Sequence, residues 1–192
     1  DQLGRLNLLT REKVLQGVAE VKEGRAFCLS LPLDYPGGNL LSPGRHPPEL
    51  RAAMRDGQPF MNFPLSHRDP HFTDVVCDDM VLIHLQYSSQ WDSLAHMGSL
   101  FDADGDGEAE MVFYNGYRAG EHVKGPNEEA GPGALSLGIE TMAETSVQGR
   151  GVMVDLHAHF GRAREQVGYD SLMRVMETDS VTVESGHMLC LH

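Results

Sequence analysis

The sequence predicts a mixed α/β or α+β domain. Short β-branched apolar runs such as Val81 to Leu85 have the length and composition of buried strands. Stretches with helical apolar spacing lie between them, at 10–24, 135–145 and 171–177. Long Pro- and Gly-rich segments separate the two kinds, and no internal repeat or low-complexity tract appears.

The elements follow in order. Thr10 is a helix cap, with Glu12 in the first turn, Val14, Leu15, Val18 and Val21 as the apolar face and Gly24 as the stop. Ala26 to Leu33 alternates as a strand. Asp34 to Pro48 holds four prolines and three glycines, which makes a long loop. Glu49 to Arg55 suits one or two helical turns. A strand-like run, Met80 to Tyr87, leads into the polar segment that follows it. Met111 to Tyr114 is a strand, and Tyr117 to Gly133 a polar, Gly-rich loop. Leu135 to Thr145 is helical through Leu135, Ile139 and Met142. Val152 to Leu156 is a strand, and Ser171 to Glu177 a helix with Leu172, Val175 and Met176 inward. Val181 to Val183 and Met188 to Leu191 are the last strands.

Bulk properties narrow the function. A length of 192 residues suits one domain or a large part of one, and 41% hydrophobic residues suffice for a core. A formal charge of −13 opposes binding to nucleic acid, which needs clustered Lys and Arg, and suits a soluble, cytoplasmic protein. No apolar run approaches the ~20 residues of a membrane span. Cys28, Cys77 and Cys190 are odd in number and far apart, so reduced, mostly buried thiols are expected. Phosphate-loop, dinucleotide and Gly-x-Ser-x-Gly patterns are missing.

The chemistry-bearing segment is 86–96, Gln-Tyr-Ser-Ser-Gln-Trp-Asp-Ser-Leu-Ala-His. On a continued strand Gln86, Gln90 and Asp92 point the same way and converge on one ion. Amide oxygens are neutral hard donors, so this set favours manganese-like ions. His96, four residues after Asp92, suits proton transfer. Trp91 suits the wall of an apolar pocket. The bland alternative has Gln86 and Gln90 bonded only to loop backbone and holding no metal. His157 and His159 share a face if they lie on a strand, which is a metal-ligand spacing. Asp102 to Glu110 imitates the start of a calcium loop. Phe113 stands where such a loop needs its bidentate Glu, so an acidic surface turn is the expectation.

The 86–96 segment resembles the signature of the metal-dependent cyclase superfamily, which includes kynurenine formamidase and isatin hydrolase. The family's usual motif is His-x-Gly-Thr-His-x-Asp-x-Pro-x-His. Asp92 and His96 match its Asp and last His; Gln86 and Gln90 replace its other two histidines, Ser88 its Gly, Ser89 its Thr and Leu94 its Pro. Gln90-Trp91-Asp92 fits a subgroup that carries Gln-Trp-Asp here. Asp1 to Thr10, Phe27 to Asp34, Tyr114-Asn115-Gly116, Gly138 to Ala143 and Gly149 to Asp155 are also similar to that subgroup, in order along nearly the whole chain. His159 matches a histidine frequent at this place in relatives; His157 does not.

The resemblance implies a β/β/α swivelling fold, with a mixed sheet and flanking helices. It implies a metal-dependent hydrolase or cyclase that opens a cyclic amide, a lactone or an N-acyl bond with a metal-activated water. Gln86, Gln90 and Asp92 would be ligands to Mn²⁺ or Zn²⁺, and His96 the acid–base group. Asn7, Tyr114 and Asn115, with Trp91, would border a small-molecule substrate. Relatives commonly form dimers or larger assemblies, and continue well past Leu191-His192, so residues 1–192 form a single domain that is the N-terminal part of a longer one. The alternative is a catalytically inactive binding or assembly protein on the same fold, which the two His-to-Gln replacements favour.

Overall fold

The computed structural model describes residues 1–129 and 131–192 of the chain. Helices and strands are mixed, and the chain divides into two compact units, 27–91 in one and 1–26 with 92–192 in the other.

Helix α1 (Arg11–Ala19) starts where the sequence puts it, because the Thr10 hydroxyl accepts from the Lys13 N–H at 3.5 Å. It stops at Ala19, well before Gly24. Its packed face also differs from the expected one. Leu15, Val18 and Val21 are exposed. Contact runs instead through Gly17, where a side chain would lie 2.5 Å from the Gly149 carbonyl. Lys13 pairs with Glu184 at 3.1 Å, and Arg150 with Glu20 at 2.6 Å, so ion pairs flank this approach.

In the unit 27–91, β1 (Glu49–Ala52) and β2 (Met54–Arg55) replace the expected helical turns, while β3 (Gln58–Pro59), β4 (Phe63–Pro64), β5 (Val75–Val76) and β6 (Asp79–Leu82) complete its strands. β1 pairs antiparallel with β6 from Glu49↔Leu82 to Ala52↔Asp79. β2 pairs with β3, and β4 with β5. Strand pairing outweighs the weak helical spacing of 49–55. Phe60 is buried and stacks on Phe63 at 4.8 Å, with the Arg55 guanidinium over its ring at 4.6 Å. Residues 26–33 form no ladder, and Phe27, Leu29 and Cys28 are exposed; the expected strand has no strand partner among the described residues. The loop at 34–48 is as expected, without helix or strand.

In the other unit, β7 (Ser99–Phe101) and β8 (Glu110–Val112) form a hairpin, and β9 (Val123–Lys124) pairs with β10 (Gly133–Ala134). Helix α2 (Ile139–Thr145) begins four residues later than the spacing from Leu135 suggested. Leu137, just before it, is 1% exposed at φ +67°, and its N–H donates to Gln2 Oε1 at 2.9 Å. Then come β11 (Gly151–Val154), α3 (Leu156–Phe160), α4 (Tyr169–Thr178) and β12 (Met188–Leu191). β11 and β12 are parallel, from Gly151↔Met188 to Val154↔Leu191. The buried hydrophobic side chains among the described residues here are Val112, Leu137, Val152, Val154 and Val175. α4 turns Leu172, Val175 and Met176 inward as its period predicts, whereas Val181 to Val183 is not a strand.

Strands among the described residues thus pair two by two, and no larger mixed sheet forms. All three cysteines are exposed, contrary to the expectation of buried thiols. Cys190 lies on a strand whose one ladder partner leaves most of its residues open to solvent. No helix among the described residues is long and apolar enough to cross a membrane.

Candidate active site

The strand expected to carry Gln86, Gln90 and Asp92 ends too soon. β6 stops at Leu82, opposite Glu49, because the next partners would be Pro48 and Pro47. Proline has no N–H to donate, so the ladder closes. The chain then turns, with Tyr87 N–H donating to His84 C=O at 2.9 Å. The alternation over 86, 88, 90 and 92 is therefore lost. Tyr87 is buried and donates to Gly38 C=O at 2.6 Å, and Ser88 donates to Pro32 C=O at 2.6 Å. These bonds pin the turn against the long loop.

Arg45 is a neighbour of Gln86 that no spacing in the sequence points to. Its Nη2 donates to Gln86 Oε1 at 2.6 Å and its Nη1 to the Gln86 carbonyl at 2.7 Å. A metal ion on that amide oxygen would face a guanidinium already bonded to it, and like charges at that range repel. Gln86 does not fit the role of ligand. Gln86, Gln90 and Trp91 belong to the unit 27–91, and Asp92 and His96 to the other.

Asp92 and His96 do share a pocket. A turn with His96 N–H donating to Ser93 C=O at 3.1 Å folds this segment back. Asp92, Ser93, Leu94, His96, Met97 and Tyr114 line an open pocket of about 420 Å³. That volume lies within the range of small-molecule sites, roughly 300–1,000 Å³. The pocket sets one carboxylate, a donor suited to manganese or zinc, and one imidazole, a group suited to proton transfer, among the apolar side chains of Leu94, Met97 and Tyr114.

Asn7, Tyr114 and Asn115 converge as well, on a residue the sequence did not single out. Asp1 Oδ1 accepts from Asn7 Nδ2 at 2.8 Å and from Leu3 N–H at 3.0 Å. Asp1 Oδ2 accepts from the Tyr114 hydroxyl at 3.2 Å, and the Asp1 carbonyl from Asn115 Nδ2 at 3.4 Å. Asn115 adopts a left-handed conformation, φ +56° and ψ +27°, which asparagine tolerates better than most residues. Asp1 thus orients the phenol whose ring lines the pocket. The similarity of 1–10 to the cyclase subgroup was the one signal that this segment mattered; the contact spans 113 positions and leaves no local pattern.

Two other clusters were anticipated in part. Asp102, Asp104 and Asp106, in the loop between β7 and β8, gather with Glu110 at the start of β8. Arg118 occupies the cation's place there, with Nη2 at 2.8 Å from Asp104 and Nη1 at 3.5 Å from Glu110. That guanidinium holds the Asp104 carboxyl below its ordinary range. Asp102 accepts from the N–H groups of Gly105, Asp106 and Gly107, as an acidic surface turn does. The second cluster corrects the His157-x-His159 strand. Asp155 caps α3 by accepting from Ala158 N–H at 3.0 Å, so both histidines lie on a helix. His159 turns to Asp179 at 2.9 Å, while His157 packs near His192. The Ala158 N–H, and then His192, hold the Asp155 carboxyl below its ordinary range.

Among solved structures, the whole chain matches one described as a novel cyclase, with a TM-score of 0.72 and 26% sequence identity. The match covers 100% of this chain and 56% of that one. No protein-family model matches the chain, and no curated protein does. The structural likeness supports the cyclase superfamily without selecting a subgroup.

Proposed function

We propose that this chain carries the acid–base half of a cyclase-type hydrolase site, acting on a small cyclic amide, a lactone or an N-acyl bond. The observation that supports this most is the meeting of Asp92 and His96 on one pocket, in a chain that matches a cyclase structure along its full length. In the reaction, water adds to the substrate carbonyl carbon while His96 accepts its proton. The same imidazole then returns that proton to the departing ring nitrogen or oxygen, giving a carboxylate and an amine or alcohol. Asp92 would hold a divalent ion, Mn²⁺ or Zn²⁺, which when bound polarises the carbonyl and acidifies water. Leu94, Met97 and the Tyr114 ring offer apolar surface that favours a flat, apolar acyl group.

A ring-opening assay of the purified protein with added Mn²⁺, on a panel of lactones, cyclic imides and N-formyl anilides, tests this. Turnover of at least one class that Asp92→Asn abolishes is the expected result. Equal rates in the two proteins would refute the assignment. The Arg45–Gln86 bonds favour one second reading, a cyclase-fold binding protein without catalysis. In that case small cyclic amides bind, detectably by calorimetry, and are never turned over. Exposed Leu15, Val18 and Val21 on and beside α1 support assembly with another copy, which light scattering would detect.

A further inference from the structure

The parallel pair β11–β12 ends at Val154↔Leu191, and the residues just beyond are Asp155 and His192. Two backbone bonds fix them side by side. His192 N–H donates to Val154 C=O at 3.1 Å, and His157 N–H, on the first turn of α3, donates to His192 C=O at 2.8 Å. Three side chains are thereby gathered from two strand ends and a helix. His192 Nδ1 lies 3.0 Å from Asp155 Oδ1, and the His157 and His192 rings are 5.3 Å apart. One donor atom from each of the three lies within 4.8 Å of the others.

We infer that Asp155, His157 and His192 form a divalent cation site at the carboxyl ends of β11 and β12, independent of the one suggested at Asp92. Two imidazoles and one carboxylate, with open positions left to water, are a donor set of zinc and neighbouring first-row ions. The 3.0 Å between His192 Nδ1 and Asp155 Oδ1 suits it, because two donors about 2.1 Å from one ion lie about 3.0–3.4 Å apart, and the His157 donor, within 4.8 Å of both, closes by side-chain rotation. The ion takes the place of the hydrogen bond between His192 Nδ1 and Asp155 Oδ1. All three side chains are open to solvent, so the ion enters without local unfolding. Bound there, it staples the ends of β11 and β12 to α3. The other histidine of α3 is engaged elsewhere, with Asp179, and takes no part.

Cobalt(II) titration of the full chain, without a histidine tag and in an Asp92→Asn/His96→Gln background, reads this site alone through its visible absorption. One ion per chain is expected, displaced by stoichiometric Zn²⁺. His157→Gln and His192→Gln should each weaken binding at least tenfold. Asp155→Asn should weaken it too, while an asparagine keeps the helix cap. Far-UV circular dichroism of each variant separates lost binding from lost fold, and His159→Gln serves as the control that leaves affinity unchanged. Uptake insensitive to His157→Gln and His192→Gln, or no saturable cobalt signal below millimolar concentration, would overturn the assignment.

Discussion

His96→Gln is expected to lower kcat for ring opening by about 10²–10⁴-fold, with KM within a few-fold of the parent. His96 is exposed, and its backbone N–H bond to Ser93 does not depend on the side chain. Glutamine has similar reach and keeps hydrogen-bonding capacity, so the pocket wall stays in place. It cannot carry a proton between water and leaving group near neutral pH, and that is the capacity the imidazole supplies. A loss confined to kcat separates proton transfer from binding. Added imidazole should restore part of the rate in this variant and none in Asp92→Asn. Parallel losses in KM and in thermal stability would instead identify His96 as a packing residue.

Gly17→Ala should destabilise the protein by about 2 kcal/mol, although helix propensity alone predicts a gain of about 1 kcal/mol. The propensity term is real, since Gly17 is interior to α1. It is outweighed because the added methyl would sit 2.5 Å from the carbonyl carbon and oxygen of Gly149 and 3.0 Å from Arg150 N. Those are backbone atoms, which no rotamer change can move aside. The helix must lift from the segment entering β11, and the Lys13–Glu184 and Arg150–Glu20 pairs lengthen with it. For a chain of this size the melting temperature falls by about 4–8 °C. Gln16→Ala, one residue away on an exposed position, should change it by no more than about 2 °C. A melting temperature for Gly17→Ala equal to or above the parent would show that α1 does not approach Gly149.

The features legible in the sequence were those set by neighbours in the chain. Thr10 announces α1, and the period of Leu172, Val175 and Met176 gives α4 its inward face, since both signals act within one or two turns. That Asp92 and His96 line one pocket has the same local origin, a spacing of four positions and one turn. Strand identity was harder at 49–55, where the outcome depends on a partner at 79–82. The end of β6 was nevertheless encoded, in Pro47 and Pro48, which act through the partner strand and not through their own neighbourhood. His157 and His159 were misassigned to a strand although Asp155 offers a helix-capping signal three residues before Ala158. Asp1 with Tyr114, and Arg45 with Gln86, are contacts between distant positions and only three-dimensional packing exposes them.

The exposed cysteines follow from the same limit. Apolar flanks suggested burial for Cys28 and Cys190, yet burial is decided by what covers a segment. Residues 27–33 have no strand beside them among those described, and β12 has only β11.

Asp92 as the anchor of a divalent ion beside a proton-transferring imidazole is the claim on which the functional reading rests. Anomalous diffraction at the manganese edge, from crystals of the full chain soaked in Mn²⁺, addresses it directly. A peak is expected about 2.0–2.3 Å from an Asp92 carboxylate oxygen, on the side of the pocket that His96 lines. Manganese peaks elsewhere with none at Asp92, at a soak concentration that saturates the protein in solution, would contradict it.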